Sequence, residues 1–286
     1  MIQDFDNYLF HAVNAFSGNR FLDSLANLEE ATNILKGGLF MAIYCWLWFE
    51  MRGRQQETRR KILIAMLMAS FAALSIARTL AHIIPFRVRP MFADPLYHVP
   101  SVPVSRNFEL WSSFPSDTAA LFFALGVGVF ILWRGAGILL LAYTCLWICL
   151  PRLFLGLHYP SDLIAGAAIG AASAGLFFWL AETRAFDRWI GGPLLRLENT
   201  YPMIFYACAF PLMYEIAITF VDVRYALHHA GFLLQLPPAV RAALGLFLLA
   251  MMSLIAAFFW RRAKSNRRFG DISSLSDTAL TQPKAS

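Results

Sequence analysis

The sequence predicts an all-α, polytopic bundle of membrane-spanning helices, and three observations carry that expectation. Hydrophobic residues make up 58% of the chain and charged residues 15%, too apolar for a surface facing only water. Mean hydropathy is +0.55. Apolar runs recur at the length a bilayer demands, with basic clusters at alternate ends.

The first thirty residues predict an interfacial helix pair. Phe5, Leu9, Val13 and Phe16 follow helical spacing up to a break at Ser17-Gly18-Asn19. The start holds two aspartates and no basic segment, so it reads as retained rather than as a cleaved signal. Seven candidate spans follow: Ile34 to Phe49, Ile62 to Ile84, Phe114 to Trp133, Ala136 to Leu157, Leu163 to Leu180, Met203 to Val221 and Ala242 to Trp260. Lys36 opens the first, where its long side chain is expected to snorkel to the interface. Gly166, Gly170 and Ala174 recur every four residues along the fifth, a spacing that admits a close neighbouring helix.

Basic residues set the expected orientation. Arg52, Arg54, Arg59, Arg60 and Lys61 follow the first span, and the positive-inside rule places them in the cytoplasm. By alternation Arg134, Arg184, Arg188 and the basic tail share that side. The acidic start and the links around residues 85–113 and 157–162 fall on the exterior. The formal net charge of +6 is thereby explained by topology, and no nucleic-acid partner is expected. Cys45, Cys145, Cys149 and Cys208 lie within apolar runs without metal or redox spacing, so they read as packing residues. His228 and His229 with Asp222 lack further ligands, and no metal or cofactor is expected. Glu215, inside the sixth run, is a candidate partner for Lys36 or a substrate contact.

The chemistry concentrates on the exterior links. Arg152, His158 and Asp162 cluster at the junction of the fourth and fifth spans. An imidazole becomes a nucleophile toward phosphorus when a carboxylate fixes its tautomer and stabilises positive charge on the ring, and an arginine fork suits phosphoryl oxygens. Arg89 precedes Pro90, with Arg87 nearby. Ser113-Phe-Pro-Ser116-Asp117-Thr118 opens the third span, where Pro115 in a first helical turn would aim backbone amides and the Ser116 hydroxyl at an anion. Guanidinium groups, a helix N-terminus and a serine around one histidine would stabilise the charge of a pentacoordinate phosphorus.

These residues resemble the type 2 phosphatidic acid phosphatase and vanadium haloperoxidase superfamily. Its signatures are K-x6-R-P, P-S-G-H and R-x5-H-x3-D, and the third is complete as Arg152, His158 and Asp162. The likeness runs over roughly Phe5 to Leu180 and is closest to bacterial undecaprenyl diphosphate phosphatases of this fold. It implies that His158 forms a phosphohistidine, that Asp162 orients it, and that Arg89, Arg152 and Ser116 bind phosphate. It places His82 at the family lysine and Asp117 and Thr118 at the glycine and histidine of P-S-G-H, which makes these three phosphate-site candidates. Arg87 and His98 are further candidates.

The domain expectation is a phosphatase-like core over 1–182, an extension with two spans over 183–262, and a disordered cytoplasmic tail over 263–286. The functional expectation is an exterior-facing phosphatase for a lipid phosphate or polyprenyl diphosphate, in a bacterial inner membrane among its lipids. A phosphotransferase and a non-catalytic lipid-phosphate carrier stay open as alternatives. Threonine cannot act as the family's general-acid histidine, so a diphosphate substrate, whose leaving group is already acidic, fits best, unless His98 or His82 supplies the proton.

Overall fold

A computed structural model of the chain describes residues 2–50, 55–98, 100, 111–223, 225–226, 237 and 240. The seventh expected span, His228 and His229, and the tail lie outside the described residues. Contacts divide the chain into two compact units, residues 1–196 with 209–221, and residues 197–208 with 222–286. In the second, Tyr206 Oη donates to Glu198 Oε1 at 2.8 Å. The site lies wholly within the first.

Every regular element among the described residues is helical. In chain order they are α1 (Ile2–Asn14), α2 (Arg20–Ala31), α3 (Leu39–Glu50), α4 (Gln56–Ile83), α5 (Pro90–Ala93), α6 (Asp117–Leu132), α7 (Arg134–Tyr143), α8 (Leu150–Phe154), α9 (Pro160–Ala181), α10 (Arg184–Phe186), α11 (Gly192–Thr200) and α12 (Pro202–Ala217). A π-helical stretch, Thr144–Cys149, joins α7 to α8, and two more, Ile34–Gly38 and Asp187–Gly191, lead into α3 and α11. Among the described residues, three helices are long and apolar enough to cross a membrane: α4, the continuous Arg134–Phe154, and α9.

Small residues let these helices approach closely beneath the site. Ala73 and Ala77 of α4 and Ala120 and Ala124 of α6 form one buried cluster. A Cβ on Gly166 of α9 would run into the Ser116 carbonyl oxygen and Ala119 Cβ, and one on Gly170 into Ala120 O and Ala124 N. The four-residue spacing therefore does a definite job: it brings α9 against the start of α6. We expect Gly166→Ala to cost about 1–3 kcal/mol, the usual penalty for overpacking, and to displace Ser116. A lowered Tm in detergent, with activity falling further than stability explains, is the check. Away from the site, larger side chains fill the core, with Leu63, Met66, Leu121, Phe122 and Leu125 buried.

Helix polarity gathers the chemistry at one end. The site residues sit just after α4, at the start of α6, within and just after α8, and at the start of α9. The opposite ends carry Lys61 and Asp187, which meet at 2.6 Å.

The N-terminal pair forms as expected, with Asn19 capping α2 through its side chain and Gly18 at φ 93 supplying the turn. The face it turns inward is largely polar. Asp6, Phe10 and Asn14 of α1 and Asp23, Ala26 and Glu29 of α2 are buried, while Phe5 and Phe16 are exposed. A helix at a membrane can turn apolar residues outward toward lipid and reserve its polar ones for a protein site. Lys36 differs for the same reason. It does not snorkel but is buried, with Nζ 3.7 Å from Glu29 and 3.5 Å from Glu30. Those carboxylates, rather than Glu215, pair with it.

Candidate active site

The loop from α8 to α9 explains the spacing between Arg152 and His158. α8 ends at Phe154. Gly156 then takes φ 69, a left-handed turn that glycine adopts without the usual steric cost. The chain doubles back so that the Leu157 amide donates to Arg152 O at 2.9 Å. His158 is thereby returned beside the arginine six residues earlier. Gly156 O also accepts from Met91 N at 3.0 Å, and Tyr97 Oη donates to Leu155 O at 3.0 Å, which ties this turn to α5.

His158 is buried. Its Nδ1 lies 2.8 Å from the Ser113 carbonyl oxygen and 3.7 Å from Asp162 Oδ2. A carbonyl can only accept, so the ring carries its proton on Nδ1. The lone pair then belongs to Nε2, which faces Arg89 Nη1 at 3.4 Å. Burial lowers the pKa of His158, opposed by the neighbouring Asp162 carboxylate and reinforced by the charge of Arg89. Orientation of the imidazole thus rests on Ser113 as well as on the carboxylate. Sequence spacing pointed only to Asp162, because a backbone carbonyl forty-five positions away leaves no mark on local pattern.

Asp162 has several partners. It is the third residue of α9, where Oδ2 accepts from the Tyr159 amide at 2.8 Å. Oδ1 accepts from Arg87 Nη1 at 2.5 Å. The other arm of Arg87, Nη2, reaches Asp6 Oδ2 at 2.6 Å, while its guanidinium lies 4.3 Å from the centre of the Tyr159 ring. Asp6 also accepts from Ser161 N at 2.9 Å and Ser161 Oγ at 2.6 Å. Arg87 is therefore engaged by protein carboxylates, and α1 supplies one of them. Nothing in the sequence motif signalled Asp6.

Two arginines line the histidine. Arg89 is buried, and its Nη1 donates to Leu157 O at 2.6 Å. Burial, tempered by the charge of Asp117, lowers its pKa to about 10, so it stays cationic at neutral pH. Arg152 Nη2 donates to Glu30 Oε2 at 2.9 Å. Burial pushes the Glu30 carboxyl up, but Arg152 and Lys36 outweigh it and hold the group below its ordinary value. Glu30 is thus an anion that fixes Arg152 from behind. Arg152 Nε and Ser113 Oγ are buried without a hydrogen-bond partner, an arrangement proteins seldom tolerate unless a ligand completes it.

The α6 entrance closes the cradle. Pro115 does not enter the first turn; it follows a cis Phe114–Pro115 bond, and the helix starts at Asp117 with Ser116 as N-cap. Ser116 is buried, its Oγ accepting from Ala119 N at 3.4 Å and its amide donating to Asp162 O at 3.0 Å. Thr118 Oγ1 donates to Asp117 Oδ1 at 3.2 Å. Asp117 in turn meets Arg78 Nη2 at 2.6 Å. The two other histidine candidates have the following surroundings. His82 is exposed with its ring centroid 6.3 Å from that of Trp111, and His98 is exposed, its backbone held by Asn14. Among the described residues no group of three or more His, Cys, Asp or Glu could hold a metal.

This cradle offers a buried nucleophilic nitrogen, cationic forks and a helix N-terminus, which is the chemistry of phosphoryl transfer. Comparison with known proteins agrees. The chain is 36% identical over 93 residues to a bacitracin transport permease protein, BcrC, of Bacillus licheniformis, covering 32% of this chain and 45% of that one. It is 26% identical over 195 residues to a putative undecaprenyl-diphosphatase, YbjG, of Escherichia coli K12, covering 66% of this chain and 90% of that one. The chain thus spans less than half of BcrC but most of YbjG. The crystal structure of Aquifex aeolicus LpxE matches with a TM-score of 0.42 at 22% identity, over 60% of this chain and 93% of LpxE. Residues 83–186 match the PAP2 superfamily, and since that stretch holds Arg87, Arg89, Ser116, Arg152, His158 and Asp162, the chain carries a PAP2 superfamily domain.

Proposed function

We propose that the protein is a membrane phosphatase that removes the terminal phosphate of a lipid diphosphate on the exterior face. One observation carries the reading: His158 Nδ1 is committed to Ser113 O, which leaves the unprotonated Nε2, facing Arg89, as the nucleophile. Nε2 attacks the terminal phosphorus, a nitrogen–phosphorus bond forms, and the bond to the bridging oxygen breaks, releasing the lipid monophosphate. Water then attacks the phosphohistidine and frees phosphate and His158. Asp162 and the Ser113 carbonyl hold the proton on Nδ1 and stabilise the positive ring. Arg89, Arg152 and the start of α6 stabilise the phosphoryl oxygens.

The preference for a diphosphate follows from the α6 entrance. Thr118 cannot protonate a leaving group at neutral pH. An alkoxide needs that proton, whereas a phosphate monoester, with a second pKa of about 6, leaves without it. The exterior orientation is supported by the basic residues at the opposite helix ends, and residues 1–182 are read as the catalytic core.

The test compares purified protein on a polyprenyl diphosphate and on phosphatidic acid. We expect phosphate release from the diphosphate to be at least about tenfold faster per unit of kcat/KM, a difference of about 1.4 kcal/mol. Equal rates would refute the substrate reading. Stoichiometric lipid binding with no release and no acid-labile label on His158 would instead mark a carrier.

A further inference from the structure

Arg78 was not among the motif residues, yet the fold brings it to the α6 entrance. It lies one helical turn before His82 on α4, and its Nη2 forms a 2.6 Å ion pair with Asp117, the first residue of α6. Its Nε is buried without a hydrogen-bond partner. The charge of Asp117 also acts on both Arg89 and Arg152, so Arg78 lies at the edge of the same electrostatic neighbourhood. Four arginines therefore collect at this end of the bundle, but they are not equivalent. Arg87 is engaged by Asp6 and Asp162. Arg89, Arg152 and the α6 N-terminus already supply donors for the three non-bridging oxygens of one phosphoryl group. Arg78 is surplus to a monophosphate.

We propose that Arg78, oriented by Asp117, binds the second phosphoryl group of a diphosphate, the one that stays with the lipid. The proposal rests on the lipid diphosphatase reading and assigns its substrate selectivity to one side chain. Asp117 holds one arm of the guanidinium and, being paired, adds little net repulsion toward an anion. The buried Nε–H and remaining arm face a group that carries charge as the bridging bond breaks. A planar fork suits that task better than an ammonium. His82, one turn further along α4, has its ring centroid 6.3 Å from that of Trp111.

The test uses the full chain in detergent with Arg78→Gln and Arg78→Lys, on the diphosphate and the monophosphate of one prenyl alcohol. We expect Arg78→Gln to lower kcat/KM for the diphosphate by about 10- to 100-fold, the range of a lost charge-assisted hydrogen bond. The monophosphate should lose at least about tenfold less on the same scale, with Arg78→Lys intermediate on the diphosphate. If both substrates fall equally, Arg78 merely neutralises Asp117 and the proposal is wrong.

Binding of inorganic pyrophosphate and inorganic phosphate gives a second readout that needs no turnover. Wild type should prefer pyrophosphate, and Arg78→Gln should erase that preference. No such preference in wild type overturns the subsite. Should wild type cleave neither lipid yet show the pyrophosphate preference, the phosphatase reading fails while the subsite stands. If Arg78→Gln does not fold, Arg78→Lys carries both comparisons.

Discussion

Replacing His158 with alanine is expected to abolish phosphate release, by about 10⁴-fold or more, as removal of a nucleophile that forms a covalent intermediate does. The acid-labile label on the chain should vanish with it. Folding should survive, because His158 sits in the turn between α8 and α9 rather than in a packed helix, and Arg89 keeps its bond to Leu157 O. The same variant tests protonation. Burial lowers the pKa of His158 from 6.5 in the folded chain. Between that lowered value and 6.5 the unfolded chain binds more protons at this residue than the folded one. Its contribution to stability therefore rises with pH across that window and is lost as pH falls. His158→Ala should flatten this part of the Tm against pH curve. Release that persists in His158→Ala, with the label still on the protein, would place the nucleophile elsewhere.

How much of this site was legible in sequence depends on the range over which each residue acts. Arg152, His158 and Asp162 lie within one turn-and-helix segment, so spacing alone brought them together. Gly166 and Gly170 were readable because close helix approach needs small residues at regular intervals. The partners that hold the cradle were not readable. Asp6, Glu30, Lys36 and Arg78 come from helices whose contacts with the motif are set by tertiary packing. In a soluble amphipathic helix the apolar stripe is buried, but α1 exposes Phe5 and Phe16 and buries Asp6, Phe10 and Asn14. The pattern of a membrane helix gives its periodicity but not which side is inside. Arg87 illustrates the same gap. Its position near Arg89 made it a candidate for the same ligand, yet Arg87 turns to the carboxylates of α1 and α9.

That arrangement makes Arg87→Ala the most consequential change outside the nucleophile. Asp6 and Asp162 have side chains 1% and 0% exposed, and Arg87 bridges them. Without it two buried carboxylates face one another with no cation between them. Breaking such a pair from one side costs about 3–5 kcal/mol, and here the lower end is expected. Arg87 is itself 26% exposed, and both carboxylates keep backbone amide donors, Ser161 N for Asp6 and Tyr159 N for Asp162. Their repulsion displaces Asp162 from its place beside the ring, so the imidazolium character needed at His158 during attack loses its counter-charge, and kcat should fall by about 10²-fold.

Asp6→Asn removes one of the opposed charges. In the double variant it should recover part of the stability that Arg87→Ala loses, a coupling that a double-mutant cycle in Tm measures directly. It should also recover some kcat, since Asp162 is then no longer repelled from its place beside His158. Additive losses would mean that the three groups act independently. A rise in KM alone, with Tm and kcat intact, would make Arg87 a substrate contact and remove α1 from the catalytic machinery.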